Sequence, residues 1–264
     1  MKRHKICKII FAILAVFLCV AFYELIGICI TYKKQPAVSD ATIKETQNIM
    51  SVAGRENTER AVIIEKNSQA LLERVRLIQN AKDEIILSTF AFKSDESGKL
   101  ILGALHDAAD RGVHVRILVD GMESWIDMEG NPYFYGLSSH ENVEIKLYNK
   151  ANPLKPWKTM GRMHDKYLIA DGKIYILGGR NTYNYFLGDF PGHKNFDRDV
   201  LVVCDEPQKD NSVNQLWNYF ETIWEQEDCR YFHNSKKLAD RQSVKKAVLE
   251  LQNGYQKYFE ENKE

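Results

Sequence analysis

The chain has no net charge to spare and little cysteine. It carries 36 basic and 36 acidic side chains in 264 residues. Lys2, Arg3, Lys5 and Lys8 against Glu24 hold the basic excess within the first 31 residues, which leaves 32 basic and 35 acidic side chains beyond them. A duplex-binding surface needs a basic excess to displace counterions from phosphates, so nucleic acid is a disfavoured partner. Of the five cysteines, Cys7, Cys19 and Cys29 lie in or beside an apolar run and read as small hydrophobes. Cys204 and Cys229 match no zinc spacing and could form at most one bridge, which excludes a disulfide scaffold. No internal repeat and no low-complexity tract is present, so a solenoid or a fibrous chain is excluded as well.

What is there begins with an apolar run over 9–31, broken by the single charge of Glu24. At ~1.5 Å per residue that run can cross a ~30 Å hydrocarbon core. No small-x-small cleavage site precedes Lys33, so the expectation is a single-pass membrane anchor over 1–34, not a cleaved signal. Four basic residues precede the run and Lys33 and Lys34 follow it, which predicts a cytoplasmic N-terminus and an extracytoplasmic soluble domain. Residues 35–60 read as a polar juxtamembrane connector, 61–230 as the folded domain, and 231–264 as a charged helical tail.

Within the domain, Leu71, Leu72, Val75 and Ile78 fall at helical spacing behind a capping Asn67 or Ser68, and 84–89 reads as a buried strand. Leu100, Ile101, Leu105 and Ala108 mark a second helix that stops at Gly112, followed by strands over 113–119 and 143–148. The alternation predicts an α/β sandwich with a largely parallel sheet. Residues 163–170 read as a strand, Asp171-Gly172 as a hairpin turn and 173–177 as its partner. A further strand lies at 200–203, and Leu216, Phe220, Ile223 and Trp224 repeat at helical spacing. Asp120-Gly121 reads as a plain turn, and Tyr183, Tyr185 and Phe186 as core aromatics.

The hairpin carries the chemistry. It holds His164-x-Lys166, then Asp171 after four residues, then Gly178-Gly179-x-Asn181 after six. On a strand the two-residue period aims the imidazole and the ammonium at one point, a nucleophile beside a phosphate-binding cation. Two glycines let backbone N–H groups approach an anion, and Asn181 adds a neutral donor.

This spacing resembles the HKD motif of the phospholipase D superfamily. The surroundings, Asp95-Glu96-Ser97-Gly98, 111–121 and Arg198-Asp199, are similar to the first half of bacterial cardiolipin synthases; the likeness covers roughly 60–230. It implies a phospholipase D-like sandwich, a mixed β-sheet flanked by helices. It also implies that His164 forms a covalent phosphohistidine and Lys166 neutralises phosphoryl oxygens. Asn181 and the Gly178-Gly179 backbone would complete the cradle, Asp171 would brace the hairpin, and Asp199, with Asp197 competing for the role, would hold the imidazole tautomer. No cofactor or metal is implied.

The resemblance further implies hydrolysis of a phospholipid phosphodiester or phosphatidyl transfer, with phospholipid and membrane as partners. Members of the superfamily need two facing motifs, and none of His4, His106, His114, His140, His193 and His233 has Lys two positions on. The expected second motif therefore comes from a homodimer partner or another chain that bears it. A catalytically incomplete half-enzyme that binds lipid, and a homodimeric nuclease, are the alternatives. The family's usual cytoplasmic placement opposes the orientation read from the flanking charges.

Overall fold

The computed structural model describes residues 2–33, 37–50, 59–206 and 211–262. They form two compact units, one made of the N-terminal segment with Ala151–Arg162 and one of Asn57–Lys150 with Met163–Glu264.

In the first unit α1 runs over Lys2–Lys33. Within it His4–Thr31 is long and apolar enough to cross a membrane. A second helix, α2 (Asp40–Met50), starts behind Ser39, whose Oγ accepts the Thr42 N–H at 3.1 Å. The expected connector over 35–60 is thus part helix, and its residues 35, 36 and 51–58 lie outside the described residues.

The second unit is built on one eight-stranded sheet, ordered β1-β7-β6-β5-β2-β3-β4-β8. Its strands are β1 (Glu59–Ile64), β2 (Glu84–Thr89), β3 (His114–Asp120), β4 (Val143–Tyr148), β5 (Lys166–Ala170), β6 (Ile174–Gly178), β7 (Asp199–Cys204) and β8 (Cys229–Tyr231). Only the pairs β2–β3 and β3–β4 are parallel; every other pair of neighbouring strands is antiparallel. The sheet is mixed, and the expectation of a largely parallel one is corrected. Helical crossovers give the parallel β2–β3 and β3–β4 pairs, whereas β5 and β6 are joined by the tight Asp171-Gly172 turn, which makes them antiparallel.

Alternation along β2 shows how the layers form. Ile85 and Leu87 face a core shared with α3 (Asn67–Asn80), α4 (Glu96–Asp110) and α6 (Pro132–Ser138), whereas Ile86 faces a smaller core under Phe220 and Trp224 of α7 (Ser212–Trp224). Between β3 and α6 lies the short α5 (Gly121–Asp127). After β8 come α8 (Lys236–Ala239) and α9 (Gln242–Glu261). The latter is no appendage: Val244, Leu251 and Tyr255 are buried in the larger core, and a Cβ on Gly103 of α4 would stand 2.7 Å from the Leu251 carbonyl oxygen. Residues 231–262 belong to the same compact unit as the sheet. At the other end of the unit β1 begins at Glu59 and pairs with β7 along its whole length.

Cys204 and Cys229 do not pair. The Cys204 sulfur receives Asn211 Nδ2 at 2.7 Å, and the Cys229 thiol donates to the Ile223 carbonyl at 3.1 Å.

Candidate active site

The site gathers where β2 ends beside the start of β5. The strand starts at Lys166, so His164 stands two residues before it, in the loop that leads into the strand instead of on the expected strand. That placement separates the two side chains by exposure: His164 is exposed while Lys166 is 5% exposed. Both meet the ring of Phe90, the residue after β2. The imidazole lies 4.8 Å from it, centroid to centroid, and Lys166 Nζ is 5.4 Å above its centre. Lys166 Nζ also donates to the His164 carbonyl at 2.6 Å, which ties the ammonium to the backbone of its partner. Burial pushes the Lys166 pKa below the usual lysine value, and the carboxylates of Asp165 and Asp197 pull the other way.

The backbone around His164 is held from behind by Asp120, at the end of β3 and fully buried. Its Oδ1 accepts the Met122 N–H at 2.9 Å as the cap of α5, and its Oδ2 accepts the Met163 N–H at 3.1 Å. The plain turn read at Asp120-Gly121 is therefore a cap that also fixes the residue next to the nucleophile candidate. An Asp before Gly at a strand end was the visible signal; the second bond, 43 residues away, was not.

Asp171 braces the hairpin. It takes φ 52° and Gly172 φ 59°, the left-handed pair that a tight hairpin turn requires. Its carboxylate accepts backbone N–H groups of Lys82, Asp83 and Glu84 at 2.9–3.2 Å, which locks the turn to the start of β2. Asn181 is buried, and its Oδ1 accepts the Ala91 N–H at 3.2 Å. Thr182 N then donates to the Ala91 carbonyl at 3.0 Å, so the two chain segments that flank the motif are stitched together.

Gly178 and Gly179 serve a purpose the sequence does not disclose. A Cβ on Gly178 would stand 1.9 Å from Asp199 Oδ1, and one on Gly179 would stand 2.0 Å from Asp197 Oδ2. The side of each glycine where a Cβ would project is filled by these carboxylate oxygens, so the close approach of Asp197 and Asp199 favours glycine at both positions. Asp199 makes no hydrogen bond to the imidazole among the described residues. It is buried between Arg74 of α3 (2.9 Å) and Arg180 (3.2 Å). Arg180, 1% exposed, also donates to Asn67 Oδ1, to the Ile64 and Glu65 carbonyls and to the Asp197 carbonyl. Asp197, with Asp165 the larger influence, is one of two carboxylates that raise the Lys166 pKa against burial.

The arginine pair was missed from sequence. Arg74 sits on the same helical stripe as Leu71, Val75 and Ile78, and a cation on an apolar stripe was the signal that could have found it. Tyr183 packs on Tyr185 and Phe186, with Tyr185 exposed and Phe186 against the larger core. Among the described residues no group of three or more His, Cys, Asp or Glu could hold a metal ion.

Residues 75–224 match the family described as cardiolipin synthase, PLD-like domain. A Helicobacter pylori protein of uncharacterized function is 30% identical over 230 residues, 76% of this chain and 45% of that one. Cardiolipin synthase C of Escherichia coli is 29% identical over 154 residues, 53% of this chain and 31% of the relative. The chain thus spans less than half the length of these relatives. Among solved structures, the phosphatidylserine synthase of Haemophilus influenzae covers 83% of this chain and 48% of its own length, with a TM-score of 0.53 at 15% identity, a likeness of fold.

Proposed function

The chain belongs to the phospholipase D superfamily through its cardiolipin synthase-like domain, and we propose that it cleaves or exchanges a phospholipid phosphodiester by way of His164. The observation that carries this reading is the shared Phe90 face: an exposed imidazole and a buried ammonium converge on one ring from positions two residues apart. In the first step an imidazole nitrogen attacks phosphorus, a P–N bond forms and the P–O bond to the headgroup alcohol breaks. The departing alkoxide takes a proton from an acid on the far side. In the second step water or a lipid hydroxyl gives its proton to that far-side group, now deprotonated, and attacks phosphorus, so that a P–O bond forms and the P–N bond to the imidazole breaks.

Lys166 opposes the charge that grows on the phosphoryl oxygens. Its buried setting keeps the cation preorganised, the condition under which such a group does most for a transition state. The Asn181 amide is oriented by Ala91 through Oδ1, which leaves Nδ2 as a donor for a phosphoryl oxygen. Asp171, Asp120 and Asp199 act through the backbone they hold. The far-side acid is a second HKD motif from outside these residues, and a twofold copy of this chain would place one His164 opposite the other.

Labelled phosphatidylglycerol supplied to membranes that hold the protein tests the reaction. Cardiolipin marks transfer to a lipid hydroxyl, phosphatidic acid marks hydrolysis, and neither product in the presence of folded protein contradicts the reading. The absence of a basic excess weighs against the nuclease alternative.

A further inference from the structure

The twelve residues Ala151–Arg162 pack with α1 as one unit. Tyr23 Oη donates to the Leu154 carbonyl at 3.1 Å, and Thr31 Oγ1 donates to the Trp157 carbonyl at 2.6 Å. Between them a Cβ on Gly27 would stand 2.6 Å from Pro156 Cγ, so only glycine lets the loop lie this close. Tyr23, Gly27 and Thr31 are four residues apart and share one helix face. All three fall in the last turns of the apolar run His4–Thr31. A bilayer that buries that run brings these turns into its interfacial layer.

The loop is built for that layer. Leu154, Trp157 and Met160 are exposed large hydrophobics at 77%, 45% and 49%. Lys155, Lys158 and Arg162 are its only charges, so the segment is basic with no carboxylate. Its turns satisfy their own backbone: Lys155 N–H bonds the Asn152 carbonyl, Lys158 that of Lys155, Thr159 that of Pro156 and Gly161 that of Lys158. Internal hydrogen bonding is what a non-helical segment needs at a membrane surface. Tryptophan beside lysines is the pairing that interfaces favour.

We propose that Ala151–Arg162 is an interfacial docking loop that inserts Leu154 and Trp157 among lipid chains and binds anionic headgroups through its cations. The occupant is an anionic lipid surface and not a protein, because the span to which the loop is fastened fixes it at the bilayer and its charge is of one sign. The inference needs α1 to span the membrane but is independent of the chemistry assigned to His164.

The test uses the full chain in nanodiscs whose lipids carry bromine near the top of the acyl chain, with phosphatidylcholine alone or mixed with phosphatidylglycerol. The fluorescence lost on going from wild type to Trp157→Phe isolates this tryptophan from the other three. We expect bromine to quench that component, more strongly with phosphatidylglycerol, and His164→Ala to leave it unchanged. Gly27→Leu, which drives the loop off α1, should abolish it. Lys155→Glu with Lys158→Glu, both exposed, should weaken the preference for anionic lipid roughly fivefold per lysine. No Trp157-dependent quenching would overturn the docking loop. Equal quenching in the two lipid mixtures would overturn its anionic preference.

Discussion

The His164 ring is exposed against the Phe90 ring, while Lys166 is buried on the same ring. His164→Ala should therefore abolish turnover and change stability by less than about 0.5 kcal/mol, as for an ordinary exposed site. Activity and a denaturation midpoint measured on the same sample check both halves. Lys166 acts as a cation and its native pKa is depressed, so activity should fall as pH rises through a value below that of an ordinary lysine. Asp197→Asn removes an anion that supports the charge, and should shift this alkaline limb to lower pH. A limb that stays in place would detach Asp197 from Lys166. Gly179 offers a packing test at the same scale. Gly179→Ser should cost about 1–3 kcal/mol by overpacking against Asp197, and adding Asp197→Ala should recover much of it. Strict additivity in that cycle would contradict the contact.

At the scale of elements, the buried trio Arg74, Asp199 and Arg180 joins α3, β7 and the turn after β6. Asp199→Ala strands two buried guanidinium groups, and should destabilise by about 3–5 kcal/mol. Its signature is a lower denaturation midpoint, in contrast to His164→Ala; an unaltered midpoint with lost activity would return Asp199 to the imidazole. The sequence displayed the elements whose apolar periodicity is plain, such as α3, α4 and the β5–β6 hairpin. It concealed β1, an edge strand whose Val62 and Ile63 are exposed and whose inward end is the single buried Ile64. It displayed α9 as a helix but concealed its burial: Val244, Ala247, Leu251 and Tyr255 form a narrow stripe between lysines and glutamates that dominate the composition. The motif was legible because its spacing is local. The partners of its carboxylates were not, because Asp199 and Arg74 are 125 residues apart.

For the whole molecule, one imidazole cannot be nucleophile and far-side acid in the same step. If two copies of this chain share a site, mixing His164→Ala with wild-type protein before assembly should make activity fall as the square of the wild-type fraction. A linear fall would mean that each chain works alone. The central claim, covalent phosphoryl transfer through His164, is met most directly by trapping the intermediate. Protein turning over labelled phosphatidylglycerol would be quenched under conditions that preserve a P–N bond, digested and mapped by mass spectrometry. The account predicts a phosphatidyl adduct on His164 that is absent from His164→Ala. Undiminished turnover by folded His164→Ala, or an adduct confined to another residue, would contradict it.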